Sequence, residues 1–337
     1  MRPEAIAAVA EGMARWANPS SPHAEGRAAR RLLEDARARI AASLGWRHEV
    51  ILTGGASEAI ALALGRAKGV RIAVSPTEHD AVLRAAGDAE RLPVDADGRA
   101  HLPAPIGERR LFAIQTANSE TGVLQPFDAL ASEVRARGDL IFADCAQSAG
   151  KLPLPDADLI AVSAHKLGGP PGVGALLVRD FAVLAPSGGQ EQGYRGGTEN
   201  LPGVLGFAAA LEAPRDWLKQ AAEWRAMLDA AVIAEGGEVV AGATPRIATI
   251  AAYRMPGVAS AAQLIRFDAS GIAVSAGSAC SSGSLKPSHV LAAMGWQAQV
   301  AREVVRVSFG WNTREQDVRR FAEAWVAIAR EARARAA

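Results

Sequence analysis

The sequence predicts an α/β protein, with a large domain on a mostly parallel sheet followed by a smaller α+β domain. Three observations carry this expectation. Between residues 50 and 178, short apolar runs alternate with helical patterns. The polar residues able to do chemistry fall just after those runs, where ligands bind in such sheets. Beyond residue 205 the pattern changes to long helices and then to scattered strands. The expected division is an N-terminal segment 1–20 packing with the small domain, a large domain 21–205 and a small domain 206–337.

Each element has a local reason. Residues 3–16 place Ala, Ile, Val and Met at helical spacing, and Pro3 suits a first helical turn. Asn18-Pro19-Ser20-Ser21-Pro22-His23 is a turn cluster. A helix rich in Ala, Arg, Leu and Glu covers 26–44, with Gly45 placed to cap it. Strands are expected at 50–53, 70–74, 111–116, 140–144, 159–164 and 173–178. Helices are expected over 59–64, after His79 through Leu83, and over 127–137. Residues 188–203 are rich in Gly and polar side chains, and 205–233 reads as one or two long helices. The last part carries strands at 247–253, 272–274 and 304–309 and helices at 261–267, 287–294 and 315–330.

Composition narrows the function classes. The 337 residues are 49% apolar and 22% charged, which supports a large core. A net charge of +1 gives no electrostatic reason to expect a nucleic-acid partner. Arginines at 27–39 and at Arg330, Arg333 and Arg335 are spaced like solvated helix faces. No run of 18 apolar residues occurs, so no membrane span is expected, and the start does not read as a signal peptide. Two cysteines, Cys145 and Cys280, make no disulfide framework and point to the cytoplasm.

The stretch 159–166 is an apolar run ending in Ser163-Ala164-His165-Lys166, followed by a Gly/Pro turn. Lys166 can be read as a solvated lysine after a core strand. It can also be read as the lysine that carries the aldehyde of pyridoxal 5'-phosphate (PLP). Other strand ends supply what that cofactor needs. Asp144 ends a buried strand and could face a protonated pyridine nitrogen, or simply cap a helix. Gly54-Gly55-Ala56-Ser57 enters a helix and offers backbone N–H groups and a hydroxyl to a phosphate. His79 could stack on the ring or merely start a helix, and Gln147 could bond the phenolic oxygen. There is no G-x-G-x-x-G or Walker pattern, no H-x-x-x-H, and no zinc-like cysteine pair.

Two further residues stand out. Cys280 lies among small polar residues in a loop, where a thiol can move and reach, whereas Cys145 follows a strand and reads as buried and structural. Arg306 sits inside an apolar strand, where burial demands a partner; a substrate carboxylate or a structural acid would serve.

The motifs together resemble the NifS/IscS-like cysteine desulfurases, PLP enzymes of the class V aminotransferase group with fold type I. They are Asn18-Pro19-Ser20-Ser21, Thr53 to Glu58, Thr77-Glu78-His79, Asn118-Ser119-Glu120-Thr121-Gly122, Asp144-Cys145-Ala146-Gln147, Gly150-Lys151, Ser163 to Lys166, Arg195-Gly196-Gly197-Thr198 and 275–281. The resemblance covers nearly the whole chain. It implies a homodimer that takes sulfur from L-cysteine, leaves alanine and passes sulfur to an acceptor protein. Lys166 would hold PLP and shuttle a proton, with His79 stacking and assisting. Asp144, Gln147 and Ser119 would bond the cofactor. Ala56, Ser57, Ser163 and His165 would bind its phosphate, with Thr198 reaching across from the other subunit. Arg306, with Asn18 or Asn118, would hold the substrate carboxylate. Cys280 would carry the sulfur as a persulfide and could ligate an iron–sulfur cluster during transfer; no resident metal is expected.

Members of that family usually begin with a Tyr-Leu-Asp-x-x-Ala-Thr-type strand, and this sequence starts after it. They usually carry Asn-Asn-Glu where Asn118-Ser119-Glu120 stands. The competing expectations are a truncated, non-catalytic scaffold, a selenocysteine lyase, or a class V aminotransferase without sulfur chemistry.

Overall fold

The computed structural model describes residues 1–277 and 287–336. Helices α1 (Pro3–Ala14) and α2 (Ala24–Leu44) come first. His23 caps α2 by accepting the Gly26 N–H at 3.1 Å, and Gly45 ends it at φ 70°. Then strands and helices alternate: β1 (Glu49–Thr53), α3 (Ala56–Arg66), β2 (Arg71–Val74), α4 (Asp80–Ala86), β3 (Glu90–Arg91), β4 (Arg110–Gln115), α5 (Phe127–Ala136) and β5 (Leu140–Asp144). Strands β6 (Leu159–Ser163) and β7 (Gly174–Val178) complete a seven-stranded sheet in the order β1-β7-β6-β5-β4-β2-β3.

Strands β2 to β6 run parallel, and β7 runs antiparallel between β6 and β1. The pleat sends alternate residues to opposite faces. Ile141 and Ala143, with Ile160 and Val162, enter a core closed by α2, α5 and α6 (Leu201–Glu212). Leu140 and Phe142, with Leu159 and Ala161, enter a second core beneath α3 and α4. The parallel strands therefore end together, and Gln115, Asp144 and Ser163 lie along one rim.

The remaining elements are α7 (Trp217–Ala234), β8 (Glu238–Val239), β9 (Ile250–Arg254), α8 (Ser260–Ala269), β10 (Ser275–Ala276), α9 (His289–Ala293), α10 (Ala298–Ala301), β11 (Val304–Ser308) and α11 (Glu315–Ala336). They form an antiparallel sheet in the order β10-β11-β9-β8. Its core is aromatic: Phe267 stacks on Phe321 at 4.9 Å, and Trp325 meets Tyr253 edge-on.

Three features differ from the sequence expectation. The strand expected at 272–274 falls instead at Ser275–Ala276, the residues that pair with Val305 and Arg306. The boundary expected at 205 falls inside α6, which belongs whole to the large core through Leu201, Val204, Phe207 and Leu211. Segment 1–20, expected against the small domain, lays α1 along α6. Glycines permit that close approach: a Cβ on Gly12 would lie 2.8 Å from Pro202 Cα, and one on Gly206 2.6 Å from Val9 Cγ2. Contact with the C-terminal part comes from Arg2, whose guanidinium lies 5.7 Å from the Trp311 ring.

Candidate active site

Strand β1 ends in a turn that only glycine makes comfortably. Gly55 has φ 139° and ψ 179°, and the Thr53 hydroxyl donates to its carbonyl at 3.0 Å. A Cβ on Gly174 of β7 would lie 2.8 Å from Gly55 Cα, so the turn sits tightly on the sheet. Helix α3 starts here with no side-chain cap, and Ala56 and Ser57 at its start line a cavity of ≈ 550 Å³. An uncapped helix start is a seat for an anion.

Strand β6 runs into one 3-10 turn, Ala164–Leu167, closed by Gly168 at φ 91°. That turn presents Lys166 and His165 to the same cavity, and His165 Nδ1 lies 2.8 Å from Ser163 Oγ. Asp144 ends β5 and is 6% exposed; its Oδ1 accepts the Ala146 N–H at 2.8 Å. Burial pushes this carboxyl up, while the Ala146 N–H, His79 and Lys166 hold it back.

His79 starts a helix and also faces the cavity. Its Nδ1 accepts the Ala81 N–H at 3.1 Å and so caps α4, while its ring lines the cavity. Burial pushes the imidazole down, with Asp144 opposing and Lys166 adding to the shift. A neutral ring whose Nδ1 accepts carries its proton on Nε2.

The opposite wall comes from the small sheet. Arg306 of β11 donates from Nη1 to the Ser119 carbonyl and from Nη2 to Ser275 Oγ, each at 3.0 Å. These bonds fix the plane of the guanidinium where it lines the cavity.

Ten expected residues thus share one cavity: Ala56, Ser57, His79, Ser119, Asp144, Gln147, Ser163, His165, Lys166 and Arg306. Three others stand apart from its walls. Asn118 is buried and occupied by its own loop: Oδ1 accepts the Glu120 and Thr121 N–H groups at 2.8 Å, and Nδ2 donates to the Thr77 carbonyl at 3.0 Å. Asn18 is exposed and accepts the Ser20 N–H at 2.9 Å. Thr198 is exposed. Cys280 lies outside the described residues. Cys145 is fully buried, and burial pushes its thiol up to about 12, which suits a structural residue and no nucleophile.

Sequence reasoning missed four groups. Gln115 lines the cavity one residue before the end expected for its strand. Glu78, in the Thr-Glu-His stretch, is buried and accepts the Gln115 N–H at 2.5 Å; burial and then Asp144 push it well above the usual carboxylate range. Glu120 accepts from the Ser288 hydroxyl at 2.5 Å, and burial pushes it up as well. His289 reaches from α9 to the Glu78 carbonyl at 2.8 Å. Nothing in local pattern marks His289, because its contact spans most of the chain.

The donor set fits PLP. A buried acid lies at the floor, a lysine stands on a turn beside it, an uncapped helix start with Ser57 can take a phosphate, and a fixed guanidinium faces them. The arrangement can bind an anionic ring system, hold an amino acid by its carboxylate, and move protons between Lys166 and His79.

The chain matches the family model described as "Aminotransferase class-V" over residues 2–321. It is 37% identical to a cysteine desulfurase of Frankia sp. (strain EuIK1), covering 92% of this chain and 84% of that one. It is 36% identical to a cysteine desulfurase IscS of Anaeromyxobacter sp. (strain Fw109-5), covering 89% and 82%. Among solved structures, a NifS-like protein from Rickettsia africae ESF-5 superposes with a TM-score of 0.88 at 26% identity, covering 97% of this chain and 96% of that one. The chain belongs to the class V aminotransferase family, among its NifS/IscS-like cysteine desulfurases.

Proposed function

We propose that this protein is a PLP-dependent cysteine desulfurase that converts L-cysteine to L-alanine and holds the sulfur as a persulfide on Cys280. The observation that carries the reading is convergence. Lys166, Asp144, His79 and the start of α3 meet in one cavity, with Arg306 arriving from the other sheet. When bound, PLP supplies an electron sink for the carbon skeleton of an amino acid.

Lys166 would carry the cofactor, Asp144 its ring nitrogen and Gln147 its ring oxygen, with His79 over the ring. Ala56, Ser57, Ser163 and His165 would take the phosphate. Arg306 would fork onto the substrate carboxylate, its orientation set by Ser119 and Ser275. The Cys280 thiolate would form an S–S bond with the substrate sulfur as the Cβ–S bond breaks. Lys166 and His79 would deliver the protons that leave alanine.

Two anchors support Cys280 in this role. Ser275 before its segment bonds Arg306, and Ser288 after it bonds Glu120, both lining residues of the cavity. A homodimer would explain why Thr198 is exposed on its own chain: it would serve the partner subunit's phosphate. An acceptor protein would take the sulfur onward. The cytoplasm suits a chain whose working thiol must stay reduced.

The test is direct. Purified protein given PLP, L-cysteine and a thiol reductant should form alanine and sulfide in equal amounts. Lys166→Ala and Cys280→Ala should each abolish both products. Sulfide release that survives Cys280→Ala sinks the persulfide step, and absence of cysteine-dependent alanine sinks the assignment. Running selenocysteine in parallel measures substrate preference.

A further inference from the structure

A second, smaller cavity lies against the turn that carries Lys166. Arg2, Lys151, Arg215 and Trp217 line it, together with Gly150 and Leu167. It has room for one particle the size of a water or a halide. Every polar side chain on its wall is a donor, three of them are cationic, and among the described residues no carboxylate lines it.

The donors are only partly used. Arg2 is 6% exposed; its Nη2 donates to the Pro214 carbonyl at 2.9 Å, and Arg215 Nη2 donates to the Leu211 carbonyl. Arg2 Nε and Trp217 Nε1 are buried with no acceptor. Among the described residues, none of Arg2, Lys151 and Arg215 forms an ion pair, and the Lys151 amine makes no hydrogen bond. Burial and the charge of Lys166 push Lys151 down to about 8; burial lowers Arg2, with exposed Glu4 opposing and Arg215 adding to the shift. Orphaned buried donors are rare because each carries a desolvation cost.

Water could accept two of these bonds, but it brings two protons of its own that need acceptors. A monatomic anion brings acceptor capacity alone and cancels charge. We infer that this cavity binds one halide ion, which neutralises the Arg2–Lys151–Arg215 cluster beside the Lys166 turn. The ion would also brace that turn, because the Arg2 N–H donates to the Gly168 carbonyl at 2.8 Å.

The test uses the full chain and bromide. Crystals grown in bromide should show an anomalous peak between Arg2, Lys151 and Trp217. In solution, the thermal midpoint should rise saturably in chloride relative to gluconate at equal ionic strength. Lys151→Met and the milder Trp217→Phe should each weaken apparent halide affinity about tenfold, the loss expected for one charge-assisted hydrogen bond. Ordered water with no anomalous signal overturns the inference. So do equal midpoints in chloride and gluconate, or a chloride effect that both variants keep in full, since that places the ion elsewhere.

Discussion

Replacing Lys151 by methionine should make the protein more stable at neutral pH. Methionine keeps the flexible apolar stem and removes the ammonium. In the folded chain the amine is pushed from its usual 10.5 to about 8, first by burial and then by Lys166. At roughly 1.4 kcal/mol per pH unit, this corresponds to about 3 kcal/mol against the folded state below pH 8. Part of the side chain remains exposed, so solvent screening trims the figure to about 2 kcal/mol. The sign follows from proton counts. Between about 8 and 10.5 the unfolded chain binds more protons at this position than the folded chain, so this group's contribution to stability rises with pH there. Urea unfolding in halide-free buffer at a series of pH values from 7 to 10.5 reads the effect. The variant should lead by about 2 kcal/mol at pH 7, and the gap should close as pH approaches 10.5. A variant no more stable than the parent at pH 7, or a gap that stays constant across the series, refutes the reasoning.

Three further outcomes are expected. Arg306→Lys should raise KM for the amino acid by roughly 10- to 100-fold with a smaller fall in kcat, because an ammonium cannot reproduce the fork held by Ser119 and Ser275; steady-state kinetics separates the two. Cys145 should resist alkylation at pH 8 in the native protein and react once it is unfolded, and Cys145→Ala should keep activity, read by mass spectrometry and alanine formation. Glu191→Ala should cost about 3–5 kcal/mol in urea unfolding. It strips Arg37 of a two-point ion pair at 2.5 and 3.0 Å and leaves the Leu52 N–H without its acceptor.

Much of the fold was legible because strands and helices bury themselves by different periods. The alternation over 50–178 marked the large sheet, and polar residues after each run marked its carboxyl edge. Strand direction has no such signature, so β7 reads the same whether parallel or antiparallel. The boundary at 205 failed for a related reason. Helix α6 is apolar on nearly every side, since α1, α2 and the turn Ala164–Leu167 pack around it, and such a helix gives no face from which to infer its neighbour. The break comes at Ala213-Pro214, after which α7 begins a new core.

Within the site, most residues at strand ends were legible, and so was Arg306 inside its apolar strand, whereas Ser288 and His289, which act across domains, were not. An asparagine in a polar loop can bind a ligand or build its own turn, and only the local geometry shows that Asn118 does the second. Arg306, Ser288 and His289 come from the small domain, yet they bond Ser119, Glu120 and the Glu78 carbonyl of the large one. Two of these bonds fall on the stretch that follows β4, and the third on the connection between β2 and α4. Docking of the two domains therefore builds the wall that faces Lys166, and it does so through polar contacts that burial makes costly to leave unpaired. Loosening that docking should lower substrate affinity before it lowers cofactor retention, because Lys166, Asp144 and the start of α3 all stay on the large sheet. Ser288→Ala is the mild form of that perturbation. It removes both the bond to Glu120 and the cap on Leu291 N–H at 3.0 Å, and should raise KM several-fold while the cofactor's absorbance stays unchanged; loss of cofactor at the same rate as loss of substrate binding would show that the small domain also holds PLP.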